Sequence, residues 1–415
     1  MIEALLAQYR QTRALSLSCC EPLALEDYGL QAEAFTSPPK WHLAHTTWFF
    51  ETFLLKPFSP GYVSPEPAYE VLFNSYYNGV GEQFPRPQRG LLSRPTVEEV
   101  GDYRRQVDTA MEGLLADDTH PERDEILERV KLGIEHERQH QELFFTDLKY
   151  SLAVNPLLPA YIRGEMGVAG IAGAPCWLGY EGGLSGIGYR GEGFCFDNEL
   201  PRHRSWLEPF ELSGRLVTNG EYAQFIEDGG YRRPELWLAD GWATVQASGW
   251  TAPQYWLERD GVALEYTLYG AVARRDDLPV CHVSGYEADA FARWAGARLP
   301  TEQEWELAAS KAAPPSDGVG TGHYHPGVAG QCGELQQLYD ACWQWTRSAY
   351  SPYPGYTASA GAIGEYNGKF MSNQWVLRGG SCVSTAGHLR PSYRNFFYPQ
   401  DRWQFSGIRL ARDPQ

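Results

Sequence analysis

Residues 135–142 read EHERQHQE. The run lies among strong helix formers, and His136 and His140 stand four apart in it. Both imidazoles therefore project from one helical face about one turn apart, as chelation of a single cation requires. The same residues fit H-E-x-x-H, in which Glu137 would be the general base of a zinc hydrolase. A charged, solvated helix face is the competing reading, because short motifs recur by chance. The next histidine downstream is His203, too distant for a usual third ligand of that pattern. Upstream, WHLAHTTWFFE at 41–51 places His42 and His45 on a second amphipathic helix, and bundles build metal sites between facing helices. The apolar frame around His45 makes it the expected third ligand, with His42 a packing or surface residue. His120, His203, His282, His323, His325 and His388 gain no role from spacing.

Around this centre, apolar positions recur at three- and four-residue spacing over 2–15, 41–55, 98–116 and 122–153, which predicts a four-helix bundle. Thr96 with Glu99 has capping-box spacing, and Pro121 stands where the first turn of the fourth helix would begin. The intervening segment 56–95 is rich in Pro, Gly and Tyr and too long for a bundle turn; ordered loops of that length are usually functional. After Asn155-Pro156 the texture changes to short apolar runs broken by Gly, Pro and Asp, the mark of an α+β domain. Its most helical stretch, YEADAFARWAGARLPTEQEWELAA at 286–309, is interrupted by Gly296 and Pro300, and Thr301 with Glu304 repeats the capping-box spacing. The expected organisation is a helical domain over 1–155 and a second domain over 156–415.

A chain of 415 residues with 43% apolar content can bury two such cores. Its net charge of −17, with no Lys/Arg run, disfavours nucleic acid or an anionic membrane as partner. No apolar stretch approaches a membrane span, and MIEALLAQYRQTR at 1–13 does not read as a signal peptide, so a cytoplasmic protein is expected. The eight cysteines include no CxxC pair, which predicts reduced, mostly buried thiols rather than a zinc-thiolate site or a stapled scaffold. The 14 Trp and 25 Tyr can fill cores, or present electron-rich faces to a cationic ligand. Three neutral imidazoles with open positions suit Fe(II), Zn(II) or Cu(II), and spacing does not choose among them. A purely structural metal in a non-catalytic binding protein would need a fourth protein ligand, and no fourth candidate appears at sensible spacing.

Several separate motifs carry a family resemblance over nearly the whole chain. WHLAHTTWFFE and EHERQHQELF resemble the two metal-ligand segments of the iron(II)-dependent sulfoxide synthases of ergothioneine biosynthesis, in their DinB-like N-terminal bundle. ARWAGARLPTEQEWELAA, LRGGSC and RPSYRNFFYPQDRWQFSGIRLAR resemble the formylglycine-generating-enzyme fold, a C-type-lectin-like α+β unit. The resemblance implies Fe(II) on His45, His136 and His140, with O2 as co-substrate. It implies joining of hercynine (Nα-trimethylhistidine) to a thiol with oxidation of the sulfur, the second domain serving as scaffold and site wall. Formylglycine generation itself would need an active-site cysteine pair, which the dispersed cysteines do not provide.

FNSYYNGVG at 73–81 resembles the subgroup that takes free cysteine, with adjacent tyrosines doing the proton work, here Tyr76 and Tyr77. The γ-glutamylcysteine-using branch carries an aspartate after its RNW motif, where this chain has Asn395, Phe396 and Phe397; phenylalanine cannot make that polar contact. By motif position Gln139 and Asn395 are candidates to contact hercynine. Arg86, Arg89 or Arg94 would bind the cysteine carboxylate bidentately. A selenoneine synthase, using a selenosugar as donor, and an O2-independent DinB-type zinc thiol transferase share the same scaffold and stand as alternatives.

Overall fold

The computed structural model describes residues 2–167, 170–314, 318–319 and 322–414. The chain divides into two compact units, Met1–Leu157 with Ala358–Tyr366, and Leu158–Thr357 with Asn367–Gln415. A helical unit and a mixed unit of short sheets and helices make the α plus α+β architecture that the patterning predicts.

The first unit is built on α1 (Ile2–Ser18), α2 (Pro39–Phe50), α3 (Val97–Ala116) and α4 (Arg123–Ala153). Pro39 opens α2, where its missing N–H costs nothing. Thr96 caps α3 as its spacing predicts: the Glu99 amide donates to Thr96 Oγ1 at 3.1 Å and the Thr96 amide to Glu99 Oε2 at 2.6 Å. Pro121 does not open the fourth helix; α4 starts at Arg123, with Glu122 at its N-cap, so the proline shapes the preceding turn. The predicted 41–55 helix leaves α geometry at Glu51–Leu55, which form a π-helical turn, a feature common beside functional sites. Glu51 is buried there and accepts from Tyr62 Oη at 2.8 Å and Tyr103 Oη at 2.5 Å.

The core of this unit is aromatic on the α2 side, where Trp48, Phe49 and Phe50 are fully buried, and aliphatic on α3 and α4 through Val100, Val107, Met111, Val130 and Ile134. Inside it lies an ionic network. Glu137 receives Arg13 Nη1 at 2.8 Å, Arg104 Nη2 at 3.0 Å and Ser16 Oγ at 2.6 Å, and Arg13 also pairs with Asp108.

Among the described residues the second unit places its strands in four small sheets. One contains β1 (Trp177–Tyr180), β4 (Phe210–Ser213) and β12 (Ala411–Arg412), and another is the hairpin of β2 (Gly183–Ile187) with β3 (His203–Leu207). A third contains β5 (Trp256–Arg259), β6 (Val262–Thr267) and β7 (Gly270–Ala273). The largest has the order β10-β9-β8-β11, from Asn395–Phe397, Trp375–Arg378, Trp343–Ala349 and Ser406–Gly407. Helices Gly285–Trp294 and Glu302–Ala309 both open on capping boxes, the second being the predicted Thr301–Glu304 pair. Between them Gly296 takes φ +66, a left-handed turn that stops the first helix. In LRGGSC, Gly379 stands at φ +101 where a Cβ would meet Leu338 O at 2.2 Å, so only glycine fits.

The cysteine expectation needs one correction. Cys176 and Cys332 form a disulfide across a separation of 156 residues, which no local spacing reveals. The other six are free, and all but Cys195 are buried.

Candidate metal centre and its aromatic wall

Helix α2 supplies His45 and α4 supplies His136 and His140. One ring nitrogen from each lies within 4.8 Å of the others. The ring centroids are separated by 5.0 Å (His45–His136), 4.7 Å (His45–His140) and 4.6 Å (His136–His140). His45 and His136 are buried, and His140 keeps partial exposure. Burial pushes the pKa of all three down, with mutual repulsion adding to the effect for His45 and His140, and His136 falls to about 3. Each therefore offers a neutral lone pair at pH 7.

The surroundings orient the rings. His45 Nδ1 donates to Phe73 O at 2.6 Å, so its Nε2 is the free lone pair, and that atom faces His136 Nε2 at 3.2 Å. His136 Nδ1 is buried without a hydrogen-bond partner. Trp41 stacks on His45 at 4.5 Å and Trp48 at 5.5 Å, clamping the ring between two indoles. Facing lone pairs on neutral nitrogen donors fit a borderline divalent cation such as Fe(II) or Zn(II), for which His45, His136 and His140 are the candidate ligands. Among the described residues this is the one cluster of three or more potential ligand side chains.

Glu137 does not face the histidines. Both its oxygens are engaged by Arg13, Arg104 and Ser16. Burial alone would raise its pKa, yet the two arginines outweigh that and hold it below the usual value. An ionised, fully engaged carboxylate cannot act as the base of a zinc hydrolase, which removes that reading of H-E-x-x-H.

The model matches of the chain are to the DinB superfamily over residues 8–144 and to the Sulfatase-modifying factor enzyme 1-like domain over 179–326 and 321–414. It is 34% identical over 413 residues to "Hercynine oxygenase" of Mycolicibacterium thermoresistibile, covering 92% of this chain and 89% of that protein. It is also 34% identical to the protein of that name from Mycobacterium tuberculosis, over 92% of each. The chain belongs to the hercynine oxygenase family. "Ergothioneine biosynthesis protein 1" of Schizosaccharomyces pombe matches less of the chain, at 26% identity over 53% of it and 28% of that protein. As a hercynine oxygenase family member the protein is an oxygenase, and the DinB-like and sulfatase-modifying-factor-like matches fall on its helical and mixed portions.

Within this hercynine oxygenase family chain, Tyr77 is fully buried in the wall of the histidine site. Its ring lies 5.6 Å from Trp48 and 6.4 Å from Phe49, and Phe49 in turn packs at 4.4 Å on His136. Tyr76 stacks on it at 4.6 Å, with the two hydroxyl oxygens 3.5 Å apart. Burial, then Tyr76 and Tyr366, raise the Tyr77 pKa well above that of an ordinary phenol. The loop is tied by Asn74, which accepts from the Tyr77 amide at 3.1 Å and donates to Tyr77 O at 3.0 Å.

Gln139 Oε1 accepts a hydrogen bond from Tyr366 Oη, and the Tyr366 ring lies 5.7 Å from His136. Sequence reading missed Tyr366, because nothing near residue 366 signals that the segment Ala358–Tyr366 belongs with the first unit. Of the three loop arginines, only Arg89 is buried. It lies 3.5 Å over the Trp41 ring and donates to Ser37 Oγ at 2.9 Å and Ser75 Oγ at 3.2 Å. Burial and then Arg86 lower its pKa, the sign of an incompletely compensated cation, and its Nε is buried without a partner. Arg86 and Arg94 are exposed and bond to the backbone carbonyls of Phe35 and Ser93. Asn395, Phe396 and Phe397 form β10 of the second unit, where Phe396 stacks on Tyr350 at 4.1 Å and Asn395 Oδ1 accepts from the Phe396 amide at 2.9 Å.

Among the described residues no helix is long and apolar enough to cross a membrane.

Proposed function

We propose that this chain is an iron(II)- and O2-dependent sulfoxide synthase that joins imidazole C2 of hercynine to the sulfur of cysteine, giving hercynylcysteine sulfoxide. The observation that carries the reading is the pairing of three neutral imidazoles with a proton-holding phenol, Tyr77, packed on the same aromatic wall. The reaction breaks the C2–H and S–H bonds, forms C–S and S=O, and releases the second oxygen atom as water. Iron, when held by His45, His136 and His140, supplies the one-electron chemistry toward O2 and the acidity that makes a thiol a thiolate.

The chain's own residues do the rest. Tyr77, its pKa raised, carries a proton at neutral pH and delivers it from the phenol oxygen, with Tyr76 as the neighbouring hydroxyl that relays or replaces it. That delivery favours coupling over simple oxidation of the thiol to a sulfinate. Arg89, a buried cation with an unsatisfied Nε, suits the cysteine carboxylate better than the exposed Arg86 and Arg94. Gln139 supplies an amide beside His136 for hercynine, and Asn395 is a second candidate by motif position. The trimethylammonium group needs only aromatic faces, worth about 0.5–2 kcal/mol per good contact. Phe396 and Phe397, standing where the dipeptide-using branch has a polar contact, favour free cysteine over γ-glutamylcysteine.

The test is an assay of iron(II)-loaded protein with hercynine plus cysteine, γ-glutamylcysteine or a selenosugar, read by mass spectrometry with an anaerobic control. O2-dependent sulfoxide formed preferentially from cysteine is the expected result. Preference for the selenosugar would move the protein to selenoneine synthesis. Thiol transfer that proceeds without O2 would make it a zinc thiol transferase, and no coupled product at verified iron occupancy would sink the proposal.

A further inference from the structure

His42 has no role by spacing, yet its ring nitrogen meets that of His140. It is 5% exposed, with Nε2 3.2 Å from Asp147 Oδ2 and Nδ1 2.9 Å from His140 Nδ1. Asp147 is itself 3% exposed, two helical turns beyond His140 on α4, and its Oδ2 also accepts the Ser37 amide at 2.8 Å. A carboxylate can only accept, so His42 Nε2 carries the hydrogen of that contact. With His42 in its neutral form the lone pair is on Nδ1, and the facing His140 Nδ1 is then the donor. The lone pair of His140 is thereby left on Nε2.

We infer that His42 is a positioning residue which, held by Asp147, fixes the Nδ1–H tautomer of His140 and makes Nε2 its ligating atom. The inference rests on the reading that His45, His136 and His140 hold a divalent metal. The three ligands are then oriented in three different ways. His45 leans on a backbone carbonyl, His136 has no partner for its Nδ1, and His140 alone is backed by an imidazole and a carboxylate in series. Such outer contacts fix ring orientation and raise ligand basicity, and losing one typically costs 10–100-fold in metal affinity.

The experiment uses the full chain, titrated anaerobically with zinc(II) and with iron(II), as wild type and as His42→Phe and His42→Gln. Phenylalanine keeps the packing against Trp41 and removes the acceptor; glutamine restores an acceptor through its amide oxygen. The Phe variant should bind both metals 10–100-fold more weakly, and the Gln variant should recover most of that loss. Nitrogen-15 histidine spectra of the zinc-loaded wild type should show His140 protonated at Nδ1 and ligating through Nε2. A purely packing role for His42 predicts equal affinity in the Phe variant, and that result overturns the inference, as does ligation through His140 Nδ1. Should the Phe variant not fold, the wild-type spectrum and the Gln variant decide by the same criteria. A wild type that binds neither metal overturns the three-histidine reading itself, and the inference with it.

Discussion

Tyr77 and Glu137 separate what a residue does from what its motif suggests. Tyr77 has no surface exposure and a phenol pKa pushed upward by burial, so it titrates only in strongly alkaline solution and keeps its proton wherever the enzyme works. Tyr77→Phe removes that proton and little else, because its contact with Tyr76 Oη is long, at 3.5 Å. Coupling should fall by roughly 10²–10⁴-fold, the usual worth of a positioned acid, while sulfinate rises and the melting temperature barely moves. A product ratio identical to wild type in both Tyr77→Phe and Tyr76→Phe would remove the tyrosines from the chemistry. Glu137→Gln behaves in the opposite way. It strips the counter-charge from Arg104 and one of the two from Arg13, which keeps Asp108; both arginines are nearly fully buried, and breaking such a buried pair costs about 3–5 kcal/mol. Chemical denaturation should show that loss directly; an unchanged midpoint would mean that the network is not structural. Both histidines of E-H-E-R-Q-H-Q-E were legible from their spacing, whereas the role of Glu137 was not, because a motif does not reveal which way a side chain turns into the bundle.

At the scale of elements, the ligand geometry depends on how closely α2 and α4 approach. Gly133 of α4 sits against the ring of Phe50 in α2, and a Cβ there would lie 2.5 Å from Phe50 Cε1. Gly133→Ala must therefore push the helices apart or swing an aromatic ring that is fully buried, at a cost of about 1–3 kcal/mol. His136 lies one turn along α4 from this contact, and His45 is carried by the opposing helix. Zinc affinity should weaken along with stability, and thermal melting with a zinc titration measures both. Unaltered zinc affinity in a destabilised variant would show that the ligand spacing is set elsewhere. The four helices were readable because each keeps a 3.6-residue apolar period, and the α3 cap because its two partners are local. The π-helical turn at Glu51–Leu55 was not readable. Its residues are as apolar as those of the α-helix before it, and the departure serves a long-range need: one buried carboxylate that binds Tyr62 and Tyr103.

Across the whole molecule, pattern separated a helical from a mixed α+β texture, the two kinds of architecture the chain contains. What no pattern held was the placing of Ala358–Tyr366 with the helical unit, since pairing across nearly three hundred residues leaves no periodic trace. The disulfide between Cys176 and Cys332 was hidden for the same reason. That segment acts on the candidate site at two points. Tyr366 donates to Gln139, and the Glu365 carboxylate receives the Asn78 amide at 3.1 Å and the Gly79 amide at 2.7 Å, directly after the two tyrosines. An ionised acceptor on two backbone amides makes strong hydrogen bonds, and these hold the end of the tyrosine loop. Glu365→Ala should therefore speed hydrogen exchange at Asn78 and Gly79 without changing exchange in the middle of α3. If the loop places Tyr77, the same variant should also move product from sulfoxide toward sulfinate, less than Tyr77→Phe does, because the phenol is still present but held less firmly. Faster exchange with an unmoved product ratio would confine Glu365 to loop stability and leave the placing of Tyr77 to its packing against Trp48 and Phe53.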